Sequence, residues 1–373
     1  MKSSIRSLVV MAVLAAGAAI SVAPAQAQDA PRAGHAVFVQ VNDPTANAIA
    51  AFHRNDDGTL SYRASYATGG RGGRAAGAGS DPLASQGSLV LIPGAGLLVA
   101  VNAGSNTISV FHVEGDRLHL AQVLPSGGPF PVGVGVHGDL AYVLDAGAQG
   151  YVSGYRIAGG LLHPIAGSTR SLGLANATPP FFLSSPAQVG FTPSGEHLVV
   201  TTKTNNTVDV FSVKTNGRLS AAPVKNAAGP VPFAFIFNGA NHVVLNFAGT
   251  SSLQTFTVNP NNTITADSAA VSDAQAAACW VTPAAGYDYV SNTASGNVSQ
   301  FRVSGDGVTL VNPIAATNIS GAIDSGATGR FFYVQSGVEG TVHAFSIGSG
   351  GALNPVQVIA VPNGASQEGL VVT

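Results

Sequence analysis

An all-β, seven-bladed β-propeller of four-stranded antiparallel blades is the architecture this 373-residue chain predicts, and three observations predict it. An aromatic residue recurs as Phe52, Phe111, Tyr155, Phe211, Phe256, Phe301 and Phe345, in steps of 59, 44, 56, 45, 45 and 44 residues. A period of roughly 40–50 residues marks propeller blades or helical arrays. The segments that carry this aromatic, such as "TVDVFSV", "TISVFHV" and "NVSQFRV", alternate in polarity with period two, as a half-buried strand must. Turn signals ("TPSGEH", "IPGAG", "KTNGR", "SGDG", "NPNN") separate the apolar runs, and helical periodicity is missing beyond the N-terminal segment, so the repeat is one of blades.

Composition narrows the function classes. The formal net charge is −2 and only 9% of residues are charged, so no basic surface is available for nucleic acid. The apolar fraction of 46% argues for a packed core. Cys279 is the only cysteine, which excludes an intrachain disulfide; flanked by "AA" and "WV", it is expected to be a buried small hydrophobe.

Taken in order, residues 1–27 are expected to be a signal peptide. Lys2 and Arg6 precede the apolar run "LVVMAVLAAGAAISV", and Ala25-Gln26-Ala27 supplies a cleavage site before Gln28. Residues 28–34 are a short flexible lead, and 35–373 a single propeller. The mature protein is expected to be secreted or periplasmic, monomeric and without a membrane span.

One repeat is legible throughout: strands at 186–193, 197–203, 207–213 and 219–226, joined by tight turns. The first repeat, "HAVFVQVNDPTANAIAAFHRNDDGTLSYRASY", lacks its first strand, whereas the chain ends in a surplus one, "SQEGLVVT". The C-terminal segment is therefore expected to become the innermost strand of the first blade and close the ring. The two long steps locate insertions, "TGGRGGRAAGAGSDP" and "STRSLGLANATPPFFLSS", both leading from one blade's fourth strand to the next blade's first. Such connections share a face with the loops after second strands, and loops on one face of a rigid scaffold commonly carry function.

The seven units, the "PSGEHL" turn and the segments "ACWVTPAAGYDYVSNTASGNVSQFRV" and "GRFFYVQSGVEGTVHAFSI" resemble the lactonase-type seven-bladed propellers, which include bacterial 6-phosphogluconolactonases. The resemblance spans the whole mature chain and implies hydrolysis of a sugar or organic-acid lactone. It also implies a Glu and a His on the inner strand that here reads Trp280-Val281, and an Arg where Thr293 stands. Phe247 likewise occupies a place that would suit a polar group. The catalytic set does not carry over, so the competing expectation is a non-catalytic ligand- or protein-binding scaffold at the cell exterior.

Any site should gather at one channel mouth, from the starts of first strands and the loops after second strands. Those positions are Gln86, Gln188, Trp280, Asp324 and Glu368, and Asn102, Asp145, Lys203, Asn246 and Asn292. Asp324 and Glu368 come from adjacent blades and could share a proton or bind a cation; the asparagines fit turn-capping roles. The nine histidines are scattered without metal-ligand spacing, and no cofactor motif is present, so no metal or cofactor is expected. The expected partner is a small lactone or carbohydrate, or else a protein or glycan.

Overall fold

Seven antiparallel sheets stand side by side in the computed structural model, which describes residues 35–373. The expected signal peptide, 1–27, and lead, 28–34, fall outside that range. Within it, the regular structure is strand apart from short 3-10 turns. The inner strands of blades 1 to 7 are Leu370–Val372, Leu89–Ile92, Pro131–His137, Pro186–Phe191, Pro232–Phe237, Ala278–Ala284 and Ala322–Ala327. Each touches the inner strand of the next blade, and that of blade 7 touches that of blade 1, so the ring is closed.

Closure uses both ends of the chain, as the missing and surplus strands require. Leu370–Val372 pairs with Ala36–Gln40 in the register Val37–Val372, Phe38–Val371 and Val39–Leu370. The ladder extends past the strand: Gln40 N–H donates to the Gly369 carbonyl at 2.9 Å, Glu368 N–H to the Gln40 carbonyl at 3.0 Å, and Thr373 N–H to the Ala36 carbonyl at 2.9 Å. An unpaired edge of Ala36–Gln40 would leave these groups without partners.

The repeated aromatics do what their alternation predicts. All seven are buried. Each packs with side chains of the preceding blade: Phe52 with Tyr333 and Val342, Phe111 with Phe38 and Ala51, Phe301 with Val244 and Leu253, Phe345 with Tyr289 and Val298. Burying such a ring is worth about 1.5–3 kcal/mol. A second device was not anticipated. Tyr142, Tyr289 and Tyr333, each the third residue of a second strand, donate their hydroxyls to the carbonyls of Gly217, Gly351 and Gly58 in the following blade. Those glycines sit in turns between third and fourth strands with φ of +81°, +76° and +87°, which L side chains avoid. Side-chain rings thus tie the rims of neighbouring blades where no backbone ladder can.

Blade 4 follows its expected strands, Pro186–Phe191, His197–Thr202 and Thr207–Ser212, but its fourth runs only over Val224–Ala227. Leu219 makes an isolated bridge to Val213, and the chain then leaves the sheet through Ala221-Ala222-Pro223, where proline has no N–H to give to the ladder.

Candidate functional site

Inner strands aim side chains into the channel mouth because they bulge. The register shifts between Pro131 and Gly133, Pro186 and Gln188, Pro232 and Phe235, Ala278 and Trp280, and Ala322 and Ser325. A bulge re-aims the extra residue. It accounts for Phe233, Cys279 and Asp324, which lie within these shifts.

The two insertions meet above that mouth. Ala76 N–H donates to the Pro180 carbonyl at 2.8 Å, and Phe182 N–H to the Ala76 carbonyl at 3.0 Å. Beneath them lies a cavity of about 370 Å³. Its walls are Gly79–Asp81 and Ala84 from the first insertion, Phe182 and Leu183 from the second, and apolar residues of blades 5 and 6 such as Val231, Phe233 and Ala277. Its polar side chains are Lys203, Asp81, Ser80, Cys279 and Thr293. A largely apolar pocket with few convergent polar groups is the usual form of a small-molecule site.

Lys203, at the end of the second strand of blade 4, is buried and holds its ammonium between the Ala84 carbonyl at 2.5 Å and Ser185 Oγ at 2.8 Å. It also lies 5.2 Å from the centre of the Phe233 ring. Among the described residues the third ammonium proton has no acceptor. Burial lowers its pKa to about 8, against the pull of Asp81, Cys279 and Glu368.

Two carboxyls, Asp81 and Glu368, act on that cation, and a third, Asp324, acts on Asp81. Glu368, fully buried ahead of the closing strand, accepts hydrogen bonds from Leu83 N–H, Ser85 N–H and Ser85 Oγ of the first insertion. It is hydrogen-bonded to half-buried Asp81, so this pair shares a proton. Burial raises the pKa of Asp81, while Glu368 and Lys203 oppose the rise. Burial, then the Asp81 charge, raises that of Glu368. Asp324 is held well above the usual carboxylate range by burial and by Asp81, and its Oδ2 has no hydrogen-bond partner. The arrangement couples a proton-sharing acid pair to an amine at the edge of an apolar pocket.

The other candidates stitch the scaffold. Below the pocket the channel is filled: Trp280 Nε1 donates to the Ser85 carbonyl at 3.0 Å, Trp280 stacks edge-on against Phe233 at 5.1 Å, and the Gln86 amide spans to both backbone groups of Val281 in blade 6. Gln188 clasps Phe235 N–H and carbonyl in the next blade. Asn292 donates to Asn297 Oδ1 and Ser299 Oγ, Asn102 to Thr107 and Ser109, and Asn246 accepts from Ala234 N–H. Asp145 is fully buried within blade 3, neither oxygen hydrogen-bonded; Ser126 comes near, but its hydroxyl is given to the Asn106 and Gly128 carbonyls. Thus Lys203, Asp324 and Glu368 are brought together, while Gln86, Gln188, Trp280, Asn292 and Asp145 are not at the pocket's polar cluster.

Asp81 was missed. It sits in an insertion with no counterpart in other repeats, and only the neighbouring charges identify it. Cys279 is buried as expected, with its thiol pushed up to about 12 by burial, yet it lines the pocket. Elsewhere, His242 lies 3.9 Å from Asp267 and 3.6 Å from Asp306, a cluster in blades 5 and 6 that is not part of this pocket.

Solved structures share the fold over nearly its whole length. A periplasmic gluconolactonase of Pseudomonas aeruginosa is 16% identical, with 90% of this chain and 98% of that one covered and a TM-score of 0.72. A Bacteroides uniformis protein provisionally described as a 6-phosphogluconolactonase is 15% identical, covering 90% and 99%, with a TM-score of 0.69. A Lactobacillus plantarum protein is 19% identical, covering 90% and 98%, also at 0.69. At such identities the likeness concerns the fold. No protein-family model matches the chain, and no curated protein matches it in sequence.

Proposed function

We propose that the mouth pocket binds and hydrolyses a small uncharged lactone outside the cytoplasm. The observation that carries this reading is the presence of Lys203 and of Asp81, itself coupled to Glu368, on the wall of one apolar cavity. Ester hydrolysis needs a base for water and a positive group for the carbonyl oxygen as charge develops on it. The free proton of the Lys203 ammonium supplies the second. Asp81, on the pocket wall and able to pass a proton to Glu368, supplies the first. Water attacks the lactone carbonyl, Asp81 takes its proton, and the C–O bond of the ring breaks as Asp81 returns that proton to the leaving alkoxide oxygen.

The walls select against charge. Thr293 lines the pocket where an arginine would hold a phosphate, and the one lining cation, Lys203, is already balanced by the lining carboxyl of Asp81. A sugar-phosphate lactone is therefore a poor fit, and an apolar-bodied or neutral sugar lactone a good one. Export rests on the leader-like segment 1–27, and the Pseudomonas aeruginosa neighbour is itself periplasmic.

A second reading is binding without turnover. It is favoured by Trp280 and Val281, which stand on the inner strand in place of the Glu and His of the lactonase pattern, and by the filled channel beneath. Progress curves of the purified mature protein on neutral and phosphorylated lactones decide between them. Turnover of a neutral lactone is expected. Saturable binding by calorimetry with flat progress curves would establish the second reading instead.

A further inference from the structure

We infer that Lys203 is a covalent carbonyl-capturing residue: its amine, seated at the wall of the mouth pocket, condenses with small aldehydes or ketones to form an imine. This activity is separate from hydrolysis and does not require it. Three structural facts carry it. Lys203 is buried, and it lines a cavity large enough for a small organic molecule. Its two hydrogen bonds, to the Ala84 carbonyl and Ser185 Oγ, use two of its three protons. Loss of the third leaves an amine that keeps both bonds and carries a free lone pair. Asp81 lines the same cavity and shares a proton with Glu368, so a group that takes and returns protons opens on the pocket.

The steps balance. The ammonium gives its spare proton to the Asp81–Glu368 pair. The amine then forms a C–N bond to the carbonyl carbon while the C=O π electrons move to oxygen, which regains the proton as a carbinolamine. A second proton transfer, from nitrogen to the hydroxyl through the same carboxyls, breaks the C–O bond and releases water. An ammonium and a carbonyl compound have become a protonated imine and water. Burial, which favours the neutral amine, works in the same direction.

The chain supplies its own reference, because Lys214 and Lys225 are exposed and are the other two lysines among the described residues. The full mature protein is incubated at pH 7.5 with butanal and sodium cyanoborohydride, which traps imines as secondary amines, and labelling is followed by peptide mass spectrometry. Lys203 is expected to label at least tenfold faster than Lys214. Asp81→Asn is expected to slow Lys203 labelling about tenfold without altering Lys214. Labelling of Lys203 no faster than Lys214 would overturn the inference, whether or not lactones are hydrolysed. Lactone turnover without Lys203 labelling would separate the two activities and leave the hydrolysis reading standing alone.

Discussion

Asp145 is a carboxyl placed where two other blades place an amide, and replacing it tests how this fold treats buried charge. Asn102 in blade 2 and Asn292 in blade 6 hold the same last position of the second strand and bond within their own blades. Asp145 has neither oxygen bonded, and burial pushes its pKa up to about 7 from an ordinary 3.8, with Ser126 pulling weakly the other way. The unfolded chain ionises this group near 3.8, whereas the folded chain retains the proton until about 7. Between those values the unfolded state has lost a proton that the folded state keeps, so stability falls as pH rises and levels off above about 7. A shift of about three units at about 1.4 kcal/mol each caps the loss at about 4 kcal/mol. Asp145→Asn has nearly the same shape and no charge to bury. It should raise unfolding free energy by up to about 4 kcal/mol at pH 8 and by little at pH 4. Urea unfolding of wild type and variant at pH 4, 6 and 8 measures this. An equal effect at all three pH values, or a variant less stable at pH 8, would show that the buried Asp145 charge does not weaken the fold.

Other consequences follow from the same contacts. Removing residues 366–373 strips blade 1 of its inner strand and takes away Glu368, which holds the first insertion; the truncated chain should lose cooperative melting, and a melt matching full length would refute ring closure. Tyr289→Phe and Tyr333→Phe should each cost about 1 kcal/mol in urea unfolding, since each leaves a buried glycine carbonyl unpaired; no loss would show that water replaces the hydroxyl. Gly58→Ala should cost more than either, about 2 kcal/mol, because φ is +87° and the added methyl would lie 2.3 Å from the Phe331 ring; an unchanged midpoint would contradict the fixed turn.

The ring was legible because its construction is periodic. Seven aromatics at near-constant spacing fix seven sheets, and the imbalance between a first repeat short of one strand and a tail with one to spare fixes closure. The mouth was partly legible for the same reason: position within the repeat places Lys203, Asp324 and Glu368 at the loop face. What periodicity cannot reveal lies in the insertions and bulges. Asp81 belongs to no repeat, and its partnership with Glu368 depends on how one connection crosses from blade 1 to the channel. Position within the repeat equally suggested Gln86 and Trp280, yet these long side chains reach across the channel to backbone groups of distant blades. Position within a repeat does not distinguish a side chain that lines a pocket from one that fills the space below it. The rim tyrosines escaped notice because Val99, Val199 and Val244 hold the equivalent place in other blades.

Whether Asp81 and Lys203 act on a carbonyl compound held at the mouth of the ring is decided by kcat/KM for a neutral lactone in wild type and Asp81→Asn. Wild type should turn the lactone over, and the variant, melting at the same temperature, should be slower by about a hundredfold, the usual worth of a positioned base. Equal values in the two proteins, or a wild-type rate no greater than that of buffer, would show that Asp81 and Lys203 do not act on it.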